Sequence, residues 1–281
     1  MQNSSAGFPQ IAIGGMAMEF TKMQGLGNDY IFLNCMDFTP ENLSELARRL
    51  SDRHFGVGGD GIICVCPSER ADFQMRMFNA DGSEGAMCGN GIRCLGKYVY
   101  DKGLTRAVRL AIETAAGERT LKLLIQNGKV SAAEVDMGVP AVSPPIAITV
   151  NGKRCVVIPA SMGNPHAVVE VEDPAQLDLR ELGPAIECHA AFPGRVNAEF
   201  VRVSGPKRLD MRVWERGSGE TLACGTGACA AAAAMMAAGR LARAASVFLP
   251  GGRLEVRWSE KSGHMLMTGP AVTVFDGQLA D

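Results

Sequence analysis

The sequence predicts an α+β fold, built from two pseudo-symmetric halves of mixed α/β structure that face each other across a cleft. Two observations support this prediction. Cys88 and Cys224 stand in nearly the same sequence context 136 residues apart, and each is followed by Gly-x-Gly and a segment that can form a helix. Strand-like segments accompany the helical segments in both halves. The period is far longer than that of a solenoid repeat, so a duplicated domain is indicated.

The 136-residue offset continues without a gap through several further motifs. The corresponding residues are Gly27-Asn28 and Gly163-Asn164, Arg76 and Arg212, Phe78 and Trp214, Glu84 and Glu220, Gly89 and Gly225, and Gly91 and Gly227. A frame shared over so many residue types is hard to obtain by chance. One position breaks the symmetry, because Asn79 stands opposite Glu215.

The elements of the first half follow from local pattern. Leu43, Leu46, Ala47 and Leu50 form one apolar face, which predicts a helix over 40–53 opened by Pro40-Glu41. A second helix is expected from Cys88 to about Lys102, where Gly103 stops it. Asn127-Gly128 predicts a hairpin turn. Strands are predicted at 18–23, 30–34, 61–66, 73–79, 109–114, 120–126 and 130–137.

The second half repeats this order. Strands are predicted at 167–171, 198–203 and 209–214, followed by a helix from Cys224 to about Ala238 and by further strands up to Phe275. The junction between the halves is expected at 136–143.

Composition narrows the function classes. The chain has 281 residues, 47% hydrophobic and 21% charged, which is typical of a globular protein with two domains. A net charge of −2 without basic runs gives no reason to expect nucleic acid or an anionic membrane as a partner. The apolar run 228–238 is about half the ~20 residues that a membrane span needs. Residues 1–17 carry no positive charge, unlike a signal peptide. Nine cysteines, mostly in apolar surroundings, indicate a reducing compartment, and hence the cytoplasm.

The paired cysteine motifs indicate acid–base chemistry. A thiol has a pKa near ~8.5, and a helix N-terminus stabilises its thiolate. The first amides of each helix can bind a carboxylate, because the flanking glycines let a ligand approach the backbone. Two such helix ends facing one carbon would place a sulfur on each side of it. One thiolate could remove a Cα proton while the other thiol delivers a proton to the opposite face.

Other interpretations of the cysteines stay open at this point. Each could be a small buried hydrophobic residue, or the two could form a redox pair. Metal binding by Cys88 with Cys94, or by Cys224 with Cys229, is disfavoured because the spacings differ and no nearby histidine completes a zinc site. We therefore expect no metal.

The chain resembles the diaminopimelate epimerase family over essentially all of 18–277. The motifs that carry the resemblance are Gly25-Leu26-Gly27-Asn28-Asp29, Asn79-Ala80-Asp81-Gly82-Ser83, Met87-Cys88-Gly89-Asn90-Gly91-Ile92-Arg93-Cys94, Met162-Gly163-Asn164-Pro165-His166, Glu215-Arg216-Gly217 and Ala223-Cys224-Gly225-Thr226-Gly227. The resemblance implies epimerisation of L,L-diaminopimelate to the meso form without a cofactor, for lysine and peptidoglycan synthesis, by a homodimer. It also implies two domains whose C-terminal strand, about 270–281, returns to the first. We therefore divide the chain into an extension at 1–17, expected to be disordered, a first half at 18–133 and a second half at 134–269.

The resemblance also implies roles for individual residues. Cys88 and Cys224 match the two acid/base cysteines, and His166 and Glu215 match residues credited with assisting them. For His166, next to Pro165, a structural role is an equal alternative. The other matches are substrate-binding: Asn28, Asn79, Asn164 and Asn197, the Glu215-Arg216 pair for an ammonium and the distal carboxylate, and the backbone amides of Gly89, Asn90, Gly225 and Thr226 for the carboxylate at the reacting carbon.

Two departures from the family pattern and two rival functions remain. Residues 1–17 have no clear counterpart in the family. Gly61, the repeat counterpart of Asn197, stands where many family members carry glutamine, so a side-chain contact to substrate is absent there or supplied elsewhere. A related racemase acting on histidine or proline would keep both cysteines without needing Arg216. A thiol-redox or metal-binding protein is the alternative outside the enzymes of this type.

Overall fold

The computed structural model describes residues 18–279, and over this range it has the predicted α+β architecture. The expectation that residues 1–17 form a disordered extension lies outside the described residues. Within the described part of the chain, no helix is long and apolar enough to span a membrane.

The first half contains two helices and eight strands. They are β1 (Glu19–Gly25), β2 (Asn28–Asn34), α1 (Leu43–Ser51), β3 (Gly61–Cys66), β4 (Phe73–Asn79), β5 (Glu84–Gly85), α2 (Gly89–Asp101), β6 (Arg109–Glu113), β7 (Arg119–Gln126) and β8 (Lys129–Asp136). The Asn127-Gly128 hairpin turn is confirmed, and both residues adopt positive φ.

The second half and the C-terminal strand contain the remaining elements. They are β9 (Ala141–Val142), β10 (Ile146–Val150), β11 (Lys153–Ser161), β12 (Pro165–Glu170), α3 (Leu179–Glu187), β13 (Asn197–Gly205), β14 (Arg208–Glu215), β15 (Gly219–Thr221), α4 (Gly225–Ala237), β16 (Ala244–Leu249), β17 (Gly252–Trp258), β18 (Met265–Pro270) and β19 (Val272–Gln278). Helices α1 and α3, and likewise α2 and α4, begin and end at positions 136 residues apart.

The strand pairings repeat as well. β2 pairs in parallel with β3, β3 antiparallel with β4, and β4 in parallel with β6. The equivalent strands β12, β13, β14 and β16 pair in the same senses. This shared connectivity puts the segment before each cysteine helix at the same place in its half.

One pairing joins the halves, and another returns the C-terminal strand to the first half. β18 pairs antiparallel with β8, and β19 pairs antiparallel with β1. The proposed division between residues 133 and 134 falls inside β8, so a border at that residue stays a prediction.

Burial in the hydrophobic core accounts for the side chains of the two central helices, α2 and α4. In α2 and α4 most side chains are buried, and α4 consists largely of alanine between Gly225 and Ala237. Small side chains let this helix lie close to the strands around it, which is why a helix without a polar face folds here. The central helices share one hydrophobic cluster, whereas α1 and α3 each belong to a separate smaller one.

Candidate active site

Cys88 and Cys224 each occupy the N-cap position of a central helix. Cys88 precedes α2 with φ −128° and ψ 120°, and Cys224 precedes α4 with φ −122° and ψ 116°. Each sulfur accepts a hydrogen bond at 3.4 Å from the backbone N–H three residues later, that of Gly91 or Gly227. Both sulfurs therefore lie at the positive end of a helix, where negative charge is stabilised.

The first residues of the two helices touch. A Cβ placed on Gly89 would lie 3.6 Å from the Cα of Gly225, and one placed on Gly225 would lie 3.5 Å from the Cα of Gly89. The methyl group of Met267 lies 3.2 Å from either Cβ position. Because the helix ends are in contact, the two capping sulfurs border the same space between the halves.

Neutral groups supply the hydrogen bonds of Cys88. Its thiol donates to Oδ1 of Asn28 at 3.1 Å. Burial raises the pKa of the Cys88 thiol, and hydrogen bonds from the Gly91 amide and the Tyr30 hydroxyl offset part of this rise. Tyr30 is itself buried, and burial raises its pKa well above the usual value.

Charged groups hold Asn28 in this orientation. Nδ2 of Asn28 donates to Asp60 at 2.6 Å, so Oδ1 is the atom left facing the sulfur. Arg53 bridges Asp60 and Asp29 at 3.0 and 2.8 Å, and Lys22 pairs with Asp29 at 2.6 Å. Desolvation would raise the pKa of Asp29, but Arg53 and Lys22 outweigh it and hold that pKa below its usual value.

Cys224 is the end of a chain of polar side chains. Its sulfur lies 3.5 Å from Oγ1 of Thr226, and Asn164 donates from Nδ2 to that hydroxyl at 3.3 Å. Oδ1 of Asn164 lies 3.1 Å from Nε2 of His166, whose Nδ1 lies 2.7 Å from Oε1 of Glu199. His166 and Glu199 have no exposed side-chain surface.

Carboxylates dominate the electrostatics around Cys224. Burial, followed by the charges of Glu215 and Glu199, raises the pKa of the Cys224 thiol well above its usual value. Burial also raises the pKa of the Glu215 carboxyl group, although Thr221 donates to its Oε1 at 2.6 Å. The two thiols are therefore related by the fold and differ in the charge around them.

The remaining predicted site residues make hydrogen bonds of their own. Asn197 accepts from the backbone N–H of Arg216 at 2.8 Å, and the Arg216 guanidinium donates to the carbonyl of Gly194 at 3.0 Å. The side chain of Asn90 donates to the carbonyl of Ala223 at 3.1 Å and thus links the halves. Asn79 is the least connected, because its amide donates to Ser83 at 3.0 Å within its own turn.

Gly61 has a steric reason to be glycine. A Cβ at this position would lie 2.1 Å from the carbonyl oxygen of Phe78 on the paired strand β4. A glutamine at 61 would require β3 and β4 to separate, so this backbone does not accommodate that family side chain. The contact that the repeat counterpart Asn197 makes therefore has no side-chain equivalent in the first half.

Three residues near the thiols were not predicted from the sequence as site residues. Tyr30 is the repeat counterpart of His166, and Glu199 is the counterpart of Ile63. Arg93 is fully buried and donates to the carbonyl of Gly89 and to Oδ1 of Asn90, at 2.9 and 2.8 Å. The offset gave a usable signal for Glu199, since this charged residue of β13 corresponds to Ile63 in β3, a strand without polar side chains.

The alternatives for the cysteines can be compared with this geometry. All nine cysteines are free thiols in the structure. Within residues 18–279, no cluster of three or more histidine, cysteine or acidic side chains is placed to hold a metal ion.

Comparisons with known proteins agree on one family. The family model described as diaminopimelate epimerase matches residues 20–142 and 159–274. A diaminopimelate epimerase of Acetivibrio thermocellus is 52% identical over 275 residues, covering 93% of this chain and 98% of the relative. One of Desulfovibrio desulfuricans is 48% identical, covering 94% of this chain and 98% of the relative. One of Methanococcus maripaludis is 48% identical, covering 93% and 99%.

Solved structures share the fold at lower identity. A PhzF-family phenazine biosynthesis protein of Bacillus anthracis has a TM-score of 0.73 at 17% identity, covering 95% of this chain and all of its own. A hydroxyproline epimerase of Agrobacterium vitis has a TM-score of 0.73 at 17% identity, covering 94% of both chains. At this identity the likeness concerns the fold alone. The family model and the relatives described above establish that the chain belongs to the diaminopimelate epimerase family.

Proposed function

We propose that this protein interconverts L,L- and meso-diaminopimelate by proton transfer between two thiols. The observation that carries the proposal is the placement of Cys88 and Cys224 as caps of two helices whose N-termini touch. The high identity to curated diaminopimelate epimerases over nearly the whole chain supports the substrate.

The reaction needs a carboxylate-bearing carbon between the two sulfurs. In this proposal the backbone amides of Gly89, Asn90, Gly225 and Thr226, in the first turns of α2 and α4, bind that carboxylate. One thiolate takes the Cα proton, so a C–H bond breaks and an S–H bond forms. The opposite thiol gives its proton to the other face of the carbon, and the configuration inverts. The protein gains and loses no net proton over the step.

In this proposal the side chains around the two sulfurs differ, and this difference selects the substrate. Glu215 would accept an ammonium group, and this positive charge would lower the pKa of the neighbouring Cys224 thiol. Arg216 would exchange the Gly194 carbonyl for the distal carboxylate, for which its fork of donors is suited. The amides of Asn28, Asn79, Asn164 and Asn197 would complete the polar lining. His166 would assist Cys224 through Asn164 and Thr226.

Three further properties belong to the proposal. The enzyme works without pyridoxal phosphate, since the thiols supply both acid and base. It acts in the cytoplasm, where nine free thiols stay reduced. It is a homodimer, and exposed apolar side chains of β19, Val272, Val274 and Phe275, support a partner surface. Sedimentation at catalytic concentration measures the mass, and a monomer there would contradict the dimer.

The experiment uses Cys88→Ala and Cys224→Ala in D2O with each pure stereoisomer. Each variant lacks one of the two groups, so we expect epimerisation to fall by at least about 1000-fold, because general acid–base groups contribute about 10²–10⁴-fold each. Chiral chromatography follows inversion, and mass spectrometry follows α-deuterium. Proline and histidine serve as comparison substrates. Epimerisation that survives in both variants would refute the two-thiol reaction, and faster turnover of proline or histidine would refute the substrate.

A further inference from the structure

The two thiols lie beside buried charges of opposite sign. Arg93 is buried in α2, below the first turn that Cys88 caps, and its repeat counterpart in α4 is the uncharged Cys229. Glu199 lies beside the first turn of α4, and its counterpart in the first half is Ile63. Neither charge has an equivalent in the other half, so the duplication has lost its electrostatic symmetry at these positions.

Hydrogen bonding fixes the number of protons on His166 and Glu199. Nδ2 of Asn164 donates to Thr226, which leaves Oδ1 of Asn164 to accept from Nε2–H of His166. At 2.7 Å, Nδ1 of His166 and Oε1 of Glu199 also need one proton between them. The pair therefore holds two protons. With the shared proton on Nδ1 of His166 it is an ion pair, and its negative end, the carboxylate of Glu199, lies against the first turn of α4.

Glu199 also reaches the immediate surroundings of Cys224. A Cβ placed on Gly227 would lie 2.7 Å from Oε1 of Glu199 and 3.3 Å from Sγ of Cys224. The carboxylate and the sulfur thus border the same face of the first turn of α4. Oε2 of Glu199 is buried and has no hydrogen-bond partner, so the carboxylate is not neutralised by further donors.

The charged groups around the two sulfurs differ. Behind Asn28, on the Cys88 side, the carboxylates of Asp60 and Asp29 are paired with Arg53 and Lys22. Cys224 faces Glu199 from β13, Glu215 from β14 and His166 from β12, with two carboxylates against one imidazole. Cys88 faces the Tyr30 hydroxyl from β2 and has Arg93 beneath its helix, while the charge of Glu215 also reaches it. Negative charge is therefore harder to place on Cys224 than on Cys88.

We propose that Glu199 is a positioning residue that keeps Cys224 protonated as the acid of the free enzyme, so that Cys88 is the thiol that ionises first. Through its shared proton it also orients the His166 imidazole, which holds the Asn164 amide against Thr226. The inference rests on the proposed two-thiol reaction but does not depend on which amino acid is the substrate.

The wild-type enzyme provides the first test. Brief iodoacetamide treatment across pH 6–10, followed by peptide mass spectrometry, gives a separate alkylation profile for each cysteine. Accessibility changes the height of a profile, whereas its midpoint reports ionisation. We expect the Cys88 profile to rise at lower pH than the Cys224 profile. The reverse order, or coincident profiles, would overturn the proposal.

Glu199→Gln provides the second test. Glutamine keeps the volume and can still hydrogen-bond to His166, but it cannot carry the negative charge. We expect Cys224 alkylation at pH 8 to become about tenfold faster, because the negative end of the ion pair then no longer faces the sulfur. Cys88 alkylation should change less than twofold. We expect kcat to fall with little change in KM.

Asp101→Asn is the matched control. Asp101 is a partly buried carboxylate at the C-terminal end of α2, paired with Lys97 at 2.6 Å and at the opposite end of the helix from Cys88. The Asp101→Asn variant should keep the midpoints of both alkylation profiles at their wild-type pH. An unchanged Cys224 profile in Glu199→Gln would overturn the role of Glu199. If the profiles shift as expected while diaminopimelate is not epimerised, the proposed substrate fails and the thiol order stands.

Discussion

Asn28 and Asn164 occupy equivalent positions of the duplicated fold, yet different partners anchor their amides. Asp60 takes the Nδ2 protons of Asn28, which leaves an oxygen facing Cys88. His166 lies on the oxygen of Asn164, which leaves its nitrogen to donate to Thr226. One residue type at one repeat position thus presents an acceptor to one thiol and a donor relay to the other.

Gly61 leads to a prediction about stability. In Gly61→Ala the new methyl group would collide with the Phe78 carbonyl 2.1 Å away, and backbone cannot yield as a flexible side chain does. We expect a loss of about 1–3 kcal/mol or more in the free energy of unfolding, as for overpacked cores. Urea denaturation measures it. Gly194→Ala, at a glycine with open space around it, should change stability by less than about 0.5 kcal/mol. Equal effects would contradict the steric argument.

At the scale of residues, the sequence identified both cysteines because the glycine motifs around them recur at a fixed offset. Glu199 could not be recognised in the same way. Its role depends on a strand pairing that sets His166 opposite Asn197, two residues before Glu199. Arg93 escaped for a related reason, because nothing in a helix sequence indicates that an arginine is fully buried.

The proposed reaction takes place at the ends of α2 and α4, where glycines leave room beside the backbone. In Gly225→Ala the new methyl group would lie 3.2 Å from the flexible Met267 and 3.5 Å from the Cα of Gly89. Met267 can move, so stability should change little. The methyl group would still lie between the N-termini of α2 and α4, where the backbone amides point. We expect kcat/KM to fall about 100-fold, because a substrate displaced by about 1 Å loses roughly that much.

Gly96→Ala is the opposite case within α2. A Cβ at Gly96 would lie 2.8 Å from Leu123 and 2.9 Å from Leu121, in the core and away from the helix end. We expect lower thermal stability with kcat/KM close to wild type. Steady-state kinetics and thermal unfolding on both variants separate the two effects. A Gly225→Ala enzyme with normal kinetics would argue against carboxylate binding at the helix ends.

At the scale of elements, the long helices could be predicted and the short ones less well. α1 begins at Leu43 and not at Pro40, because Asn42 caps it and accepts from the Glu45 amide. α3 was not predicted, since Pro184 lies inside it and weakens the helical pattern. The 136-residue frame would have indicated it, because α3 begins and ends at the positions equivalent to α1.

Over the whole molecule, buried thiols make stability depend on alkaline pH. Burial raises the pKa of Cys94 and of Cys229 from 9.0 to about 12. Their folded pKa lies above the unfolded one, so this contribution is complete below about pH 9 and is lost as the pH rises toward 12. We expect the urea midpoint to fall between pH 9 and 10.5. Cys229→Ala should show a smaller fall, and equal falls would contradict this origin.

The architecture of the whole molecule could be predicted only in part. The duplication, the mixed class and the order of most elements followed from local pattern and the offset. The pairings of β8 with β18 and of β1 with β19 bring together segments that are far apart in the chain. Local sequence periodicity does not indicate which distant strands pair with each other. For β19, only the resemblance to a family suggested that it returns to the first domain.

The pairing of β1 with β19 leaves the two ends of the described chain one hydrogen bond apart, since Leu279 donates to the carbonyl of Met18 at 2.9 Å. The path of the backbone is therefore nearly a closed ring. A short linker from 279 to 18, with new termini opened at the exposed Val139, would give a circular permutant in which the second half is synthesised first. In this permutant the order in which the halves are synthesised would change, and the site that they form together would stay the same.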